Sequence, residues 1–147
     1  MSRKPECNEI TAKFIEKLKQ IGQYDIIPYR KSPKIYFIDG KKINIRCTTK
    51  LDLFYSVNLN VLPKVDYVVY LTTSPKHNPE HFLMFPSKFL EELKDDMYPN
   101  NERPEQRVFN IDWDEGCALM LKNHKVLCVT KYGYDLDSKQ YPDFKNF

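Results

Sequence analysis

The 147-residue sequence predicts a mixed α/β domain, a central sheet flanked by helices, and three stretches carry that expectation. Residues 8–21 repeat apolar side chains at helical spacing, residues 34–47 are two extended runs joined by Asp-Gly, and residues 65–73 are an apolar β-rich run. The predicted order is helix, strand, hairpin, strand, strand, helix, then a β-rich C-terminal segment.

In NEITAKFIEKLKQI (8–21), Ile10, Phe14, Leu18 and Ile21 recur at spacings of four, four and three, with Lys and Glu between them. That period lays one apolar stripe along a helix. Asn8 suits its N-cap and Gly22 its C-terminal stop. YDIIPY (24–29) is β-branched and aromatic, so it reads as the first strand. KIYFI (34–38) and KINIRC (42–47) read as the next two, joined at Asp39-Gly40, because a type I′ turn needs positive φ at both central residues. Alternation would place Lys34, Tyr36 and Ile38 on one face and Ile35 and Phe37 on the other.

VDYVVYLTT (65–73) has the composition of a strand buried on both faces, and HFLMF (81–85) reads as a short strand after the SPKHNPE loop. After Ser87, Phe89, Leu90, Leu93 and Met97 form a second helical stripe. PNNERPEQR (99–107) reads as a solvated linker, and GCALMLKNHKVLCVTKYG (116–133) fits either a hairpin around Asn123-His124 or a helix. The chain has no internal repeat, and its length suits one domain over 1–147, with a core about 8–95 and an extension about 108–147.

Hydrophobic residues make up 41% and charged residues 29%, with a net charge of +3. A mildly basic surface permits phosphate contact without demanding it. Cys7, Cys47, Cys117 and Cys128 stand far apart with no C-x-x-C pair, which argues against structural zinc. The first twenty residues are charged throughout and lack an apolar signal core, so free thiols and a cytoplasmic, intracellular protein are expected. No run approaches the ~18 apolar residues of a membrane span, and no membrane partner is expected.

A helix stopped by Gly22, a strand, a hairpin opening at Pro33-Lys34 and ending in Arg46-Cys47-Thr48, and a strand carrying Asp66-Tyr67-Val68-Val69 follow one another within residues 8–95. This succession resembles the core of the PD-(D/E)XK nucleases, which include restriction endonucleases and archaeal Holliday-junction resolvases. The resemblance implies a restriction-endonuclease-like three-layer core. It also implies a site where an Asp and a Glu on the two hairpin strands hold Mg²⁺, and a Lys two residues after the Glu orients the attacking water. In this chain Pro33-Lys34 stands where Pro-Asp would be, and Arg46-Cys47-Thr48 where Glu-x-Lys would be, running into Thr49-Lys50. Shifting the register by two gives Asn44-Ile45-Arg46, again without an acid. The helix position that faces the family's site falls near Lys13, with Glu9 and Glu16 close by.

Lys and Arg in place of two carboxylates remove the oxygen ligands Mg²⁺ requires and put like charge where the cation would sit. The expectation is a catalytically degenerate nuclease-fold protein with no metal and no cofactor, acting by binding. A basic pocket of that shape can clamp a phosphate with an Arg fork. The expected interface is Arg30, Lys31, Lys34, Lys41, Lys42, Arg46, Thr48 and Lys50, facing double-stranded or branched DNA or a protein partner, and compatible with a homodimer.

Two alternatives stay open. One is an active Mg²⁺-dependent endonuclease with acids relocated among Glu9, Glu16, Asp25, Asp39 and Asp66; the other is a structural subunit with the segment around Trp113 to Val129 as its interface. Plainer roles compete with each. Lys34 and Arg46 suit solvated positions on the hairpin, Asp39 before Gly40 suits a turn former, and Asp66 suits a strand end. His77 and His81 lack the helical geometry of an H-E-x-x-H zinc site. Tyr29-Arg30-Lys31 and Lys131-Tyr132-Gly133-Tyr134 interleave rings with cations, as stacking on unpaired bases would require.

Overall fold

The structure, a computed structural model, describes residues 7–47, 54–72, 81–113 and 117–145. These form a mixed α/β fold with two β-sheets and two α-helices among the described residues. Helix α1 (Cys7–Ile21) places Glu9 in its first turn and Lys19 in its last, which suits the helix dipole, and Gly22 follows at φ 81. The chain then lays down β1 (Ile26–Pro28), β2 (Ile35–Ile38) and β3 (Lys41–Arg46) as an antiparallel meander. At the second hairpin Asp39 and Gly40 have φ of 51 and 82, the double positive φ that Asp-Gly predicts.

β4 (Tyr55–Asn58) leaves this sheet, and the chain returns through a 3₁₀ turn at Leu62–Lys64 to β5 (Tyr67–Leu71), parallel to β3. β6 (His81–Pro86) pairs antiparallel with β5, and α2 (Ser87–Leu93) follows directly. Ser87 serves as the first residue of this helix, and its Oγ–H donates to the Val65 carbonyl at 2.7 Å, tying the helix start to the entry of β5. Beyond it lie β7 (Tyr98–Pro99), β8 (Gln106–Asp112), β9 (Ala118–Met120), β10 (Val126–Cys128) and β11 (Gly133–Asp135). The six-stranded sheet runs β1-β2-β3-β5-β6-β11, and the five-stranded sheet runs β10-β9-β8-β4, with β7 also on β8.

Every residue of β5 is buried because both faces of the first sheet are covered. On one face Phe14, Ile15 and Leu18 of α1 pack on Ile38, Ile43, Ile45, Val69 and Leu71, joined by Leu136 and Phe144 from the C-terminal segment. On the other, Val68, Tyr70, Leu83 and Phe85 meet Tyr55, Val57, Phe109, Ile111 and Leu119 of the second sheet, with Leu90 and Leu93 of α2. The second covering layer is therefore a sheet with one short helix, where sequence reading expected helices on both sides. Tyr70 sits fully buried between the sheets, its hydroxyl donating to the Ser56 carbonyl at 3.0 Å. Burial raises its pKa well above the ordinary tyrosine value, so it remains a donor.

Two further expectations change, for residues 99–107 and for the cysteines, and the open choice at 116–133 falls to the hairpin. Residues 99–107 end in the strand β8 and are not a linker throughout, because only Phe109 and Ile111 of that strand are buried and its outward residues look solvated. The 116–133 run is a hairpin, with Asn123 and His124 both at positive φ in its turn. Cys117 and Cys128 are not in disulfides, but Cys47 is disulfide-bonded, since pairing follows spatial approach that spacing along the chain does not reveal. No helix among the described residues is long and apolar enough to cross a membrane.

Candidate functional site

The hairpin brings Lys34 and Arg46 to one end of the first sheet. Lys34 immediately precedes β2, Arg46 ends β3, and the Ile45 N–H donates to the Lys34 carbonyl at 2.8 Å. Both line a small cavity with Thr11 of α1, Ile45 and Cys47. Asn44, beside them on β3, is buried at 5% exposure between Ile35 and Val68. The Arg46 guanidinium reaches across to the second sheet, where its Nη2 donates to Ser56 Oγ at 2.8 Å.

A third cation joins them. The Lys34 ammonium is held below the ordinary lysine pKa, first by partial desolvation and then by the like charges of Arg46 and Arg103. No carboxylate among the described residues acts on Lys34 in the opposite sense. Arg103 is placed by its loop: the Asn100 Oδ1 accepts from the N–H groups of Glu102 and Arg103 at 3.1 and 3.2 Å. Sequence reading missed Arg103 because it lies in the segment taken for a linker, and missed Ser56 because the short strand β4 carries no strong signal of its own.

The other expected interface residues divide. Arg30 and Lys31 are exposed in the tight β1–β2 turn, closed by the Tyr29 N–H to the Ile35 carbonyl at 3.0 Å, on the Lys34 side of the hairpin. Lys41 and Lys42 lie at the far end beside Asp39-Gly40, about 10–14 Å along the strands from Lys34. The Lys42 ammonium stands 4.3 Å from the centre of the Tyr29 ring, and its backbone N–H donates to Asp66 Oδ2 at 2.8 Å. Thr48 and Lys50 lie outside the described residues, as does His77.

Of the acids of the endonuclease alternative, Asp25, Asp39 and Asp66 are hydrogen-bonded at the Asp39-Gly40 end of the hairpin, away from Lys34 and Arg46. Glu9 and Glu16 are exposed on α1. Asp39 Oδ1 accepts the Asp25 N–H at 2.9 Å while the Asp39 N–H donates back to the Asp25 carbonyl at 2.8 Å, a reciprocal clasp at the turn end. Asp66 likewise exchanges two hydrogen bonds with the Lys42 backbone. Among the described residues no three His, Cys, Asp or Glu side chains converge as a metal would require. The rings interleaved with cations are used inside the fold: Tyr29 packs on Phe37, Tyr132 on Phe85 and Phe89, and Tyr134 stacks on Phe82.

Trp113 and Val129, the ends of the segment expected as a partner interface, are buried, and the Trp113 indole N–H donates to the Tyr55 hydroxyl at 3.1 Å. Met120 and Val126 between them are exposed. No family model, curated protein or solved structure matches the chain.

Proposed function

We propose that this protein is a catalytically degenerate, nuclease-like α/β domain that binds nucleic acid through its phosphates. The observation that carries the reading is the placement of Lys34 and Arg46 around one small cavity with Thr11 and Cys47, Arg46 being anchored on Ser56, with Arg103 adding to the like charge that lowers the Lys34 pKa. Holding like charges together is unfavourable in the free protein, and a phosphate among them reverses the sign of that interaction. Arg46, anchored at Ser56, keeps further N–H donors for a bidentate contact, and Lys34 adds a compact charge. Arg30 and Lys31 extend the positive edge. Support for the nuclease-like part is the succession of α1, the β1–β2–β3 meander and β5, with Lys34 and Arg46 where the family places acids.

Fluorescence anisotropy with a labelled DNA fragment, titrated with salt, tests the reading. For three phosphate contacts the logarithm of affinity falls against the logarithm of salt with a slope of about −2 to −3. Arg46→Gln and Arg103→Gln each lower that slope by about one. Absence of binding at about 50 mM salt overturns it.

A further inference from the structure

The outer face of the second sheet gathers most of the exposed large hydrophobic residues among the described residues. Of the five large hydrophobic residues exposed among the described residues, four share this face: Phe54 at 57%, Tyr98 at 42%, Met120 at 41% and Val126 at 59%. With Val108 and Asn110, the first three line a groove of about 730 Å³, walled by the loop from Pro99 to Glu102. That volume lies within the roughly 300–1,000 Å³ of ligand clefts. Surface apolar residues scattered singly need no explanation, whereas a contiguous set on one sheet face marks a site.

The groove lies beside Arg46 and Arg103, and strand register shows the adjacency for Arg46. Ser56 pairs with Val108, and Val108 pairs with Tyr98, so these three form one row across the outer face. Arg46 is hydrogen-bonded to the Ser56 end of the row, and the Tyr98 ring stands at the other, two strand spacings or about 10 Å away. Arg103 directly follows Glu102 in the groove wall. Rings and phosphate-binding cations thus lie side by side on one surface.

We infer that this groove takes the unpaired bases of a single-stranded nucleic acid whose phosphates lie on Lys34, Arg46 and Arg103. The inference rests on the phosphate-binding reading above and adds the substrate class. Charge complementarity selects the occupant: an apolar, ring-bearing groove flanked by Arg46 and Arg103, with Lys34 beyond Arg46, matches a strand that carries planar bases and phosphates together. In a duplex the base faces are stacked inside and cannot reach Phe54 or Tyr98. The Tyr98 hydroxyl donates to the Leu121 carbonyl at 3.3 Å, which holds the ring in place. Glu102, the one carboxylate lining the groove, opposes a phosphate but accepts from a base N–H, such as the thymine N3–H. The Asn110 Oδ1 already accepts the Ile111 N–H at 2.8 Å, leaving its NH₂ for a base edge.

The test compares three labelled probes of about twelve nucleotides, a length within single-strand site sizes: oligothymidylate, a duplex, and an abasic strand with the same phosphates. Oligothymidylate is expected to bind at least tenfold tighter than the other two. Tyr98→Leu and Phe54→Leu keep apolar bulk but remove a ring, and each should cost oligothymidylate about 5- to 150-fold while leaving the abasic strand unchanged. Phe54 makes no hydrogen bond through its side chain, so its variant stands if Tyr98→Leu fails to fold. Equal binding of all three probes, with both Leu variants silent, overturns the inference and leaves phosphate binding intact. No binding of any probe overturns both. A dimer that the Leu variants convert to monomer, with no change in oligonucleotide affinity, assigns the groove to a second copy and also overturns the inference.

Discussion

Lys34 is a cation held where its charge is disfavoured. Its pKa is lowered from 10.5 by desolvation and by Arg46 and Arg103, so in the free protein its protonated form is destabilised relative to the unfolded chain. That cost is present in full at neutral pH and is relieved as pH rises through the lowered folded value toward 10.5. Lys34→Gln removes the repulsion, so denaturant unfolding should show stability unchanged or raised by up to about 0.5 kcal/mol. The same variant should lose part of the rise in Tm that inorganic phosphate gives the parent protein, because ligand stabilisation follows affinity. Phosphate affinity of the parent should weaken on the alkaline side at a pH below that of an ordinary lysine, and this inflection should vanish in Lys34→Gln. A Lys34→Gln protein that is less stable and equally phosphate-responsive would sink the assignment.

Asp39 illustrates the opposite case, an acid whose role is architectural. Its carboxylate accepts the Asp25 N–H and its φ is 51. Asp39→Asn keeps both the acceptor and the tolerance of positive φ, and should be silent in unfolding experiments; Asp39→Ala loses both and should cost about 1–2 kcal/mol. A catalytic carboxylate would not tolerate the Asn substitution in a cleavage assay.

At the scale of elements, the β2–β3 hairpin positions the site. Its register places Lys34 and Arg46 together only if the turn is tight. Gly40 has φ 82, and a Cβ added there would meet nothing within 4 Å, so Gly40→Ala should cost about 1 kcal/mol by backbone conformation alone. Anion binding should persist in that variant at temperatures below its unfolding. Tyr70 couples the two sheets: its ring meets Tyr55 and Phe109 at centroid distances of 5.9 and 5.3 Å, and its hydroxyl holds the backbone of Ser56, the anchor of Arg46. Tyr70→Phe keeps the ring packing and should cost about 1 kcal/mol of stability. It should also weaken phosphate binding more than an equally destabilising change on the α1 side, such as Ile43→Val, and equal effects from the two would argue against the coupling.

For the whole molecule, two layers of different kinds cover one sheet, and this arrangement joins segments distant in sequence. The second sheet collects β4 from the middle of the chain and β8 to β10 from its C-terminal third, while β11 returns to the edge of the first sheet at β6. The extension beyond residue 108 is thereby interlaced with the core. Incubation with supercoiled DNA in Mg²⁺ or Mn²⁺ should leave it uncut, since Lys34 and Arg46 occupy the positions the resemblance assigns to metal-binding acids. Cleavage that EDTA abolishes would restore the endonuclease alternative with its relocated acids.

The elements set by local chemistry were legible in the sequence. The stripe of Phe14 and Leu18 announced α1, Asp39-Gly40 announced the hairpin and its turn, and the unbroken run at 67–71 announced a strand buried on both sides. The closeness of Lys34 and Arg46 followed, because hairpin register is a local property. What escaped depends on pairing between segments far apart, for which a single sequence carries no period. β4 is four residues long, and β8 buries two of seven, so neither stands out from a loop. Arg103 beside Lys34, Ser56 under Arg46 and the row from Ser56 to Tyr98 exist only once β4 and β7 flank β8. The sequence alone determined a hairpin turned at Asp39-Gly40 that carries Lys34 and Arg46 at its open end; the tertiary structure decided which side chains of the second sheet meet that end, because long-range strand pairing is written in the packing of the whole chain.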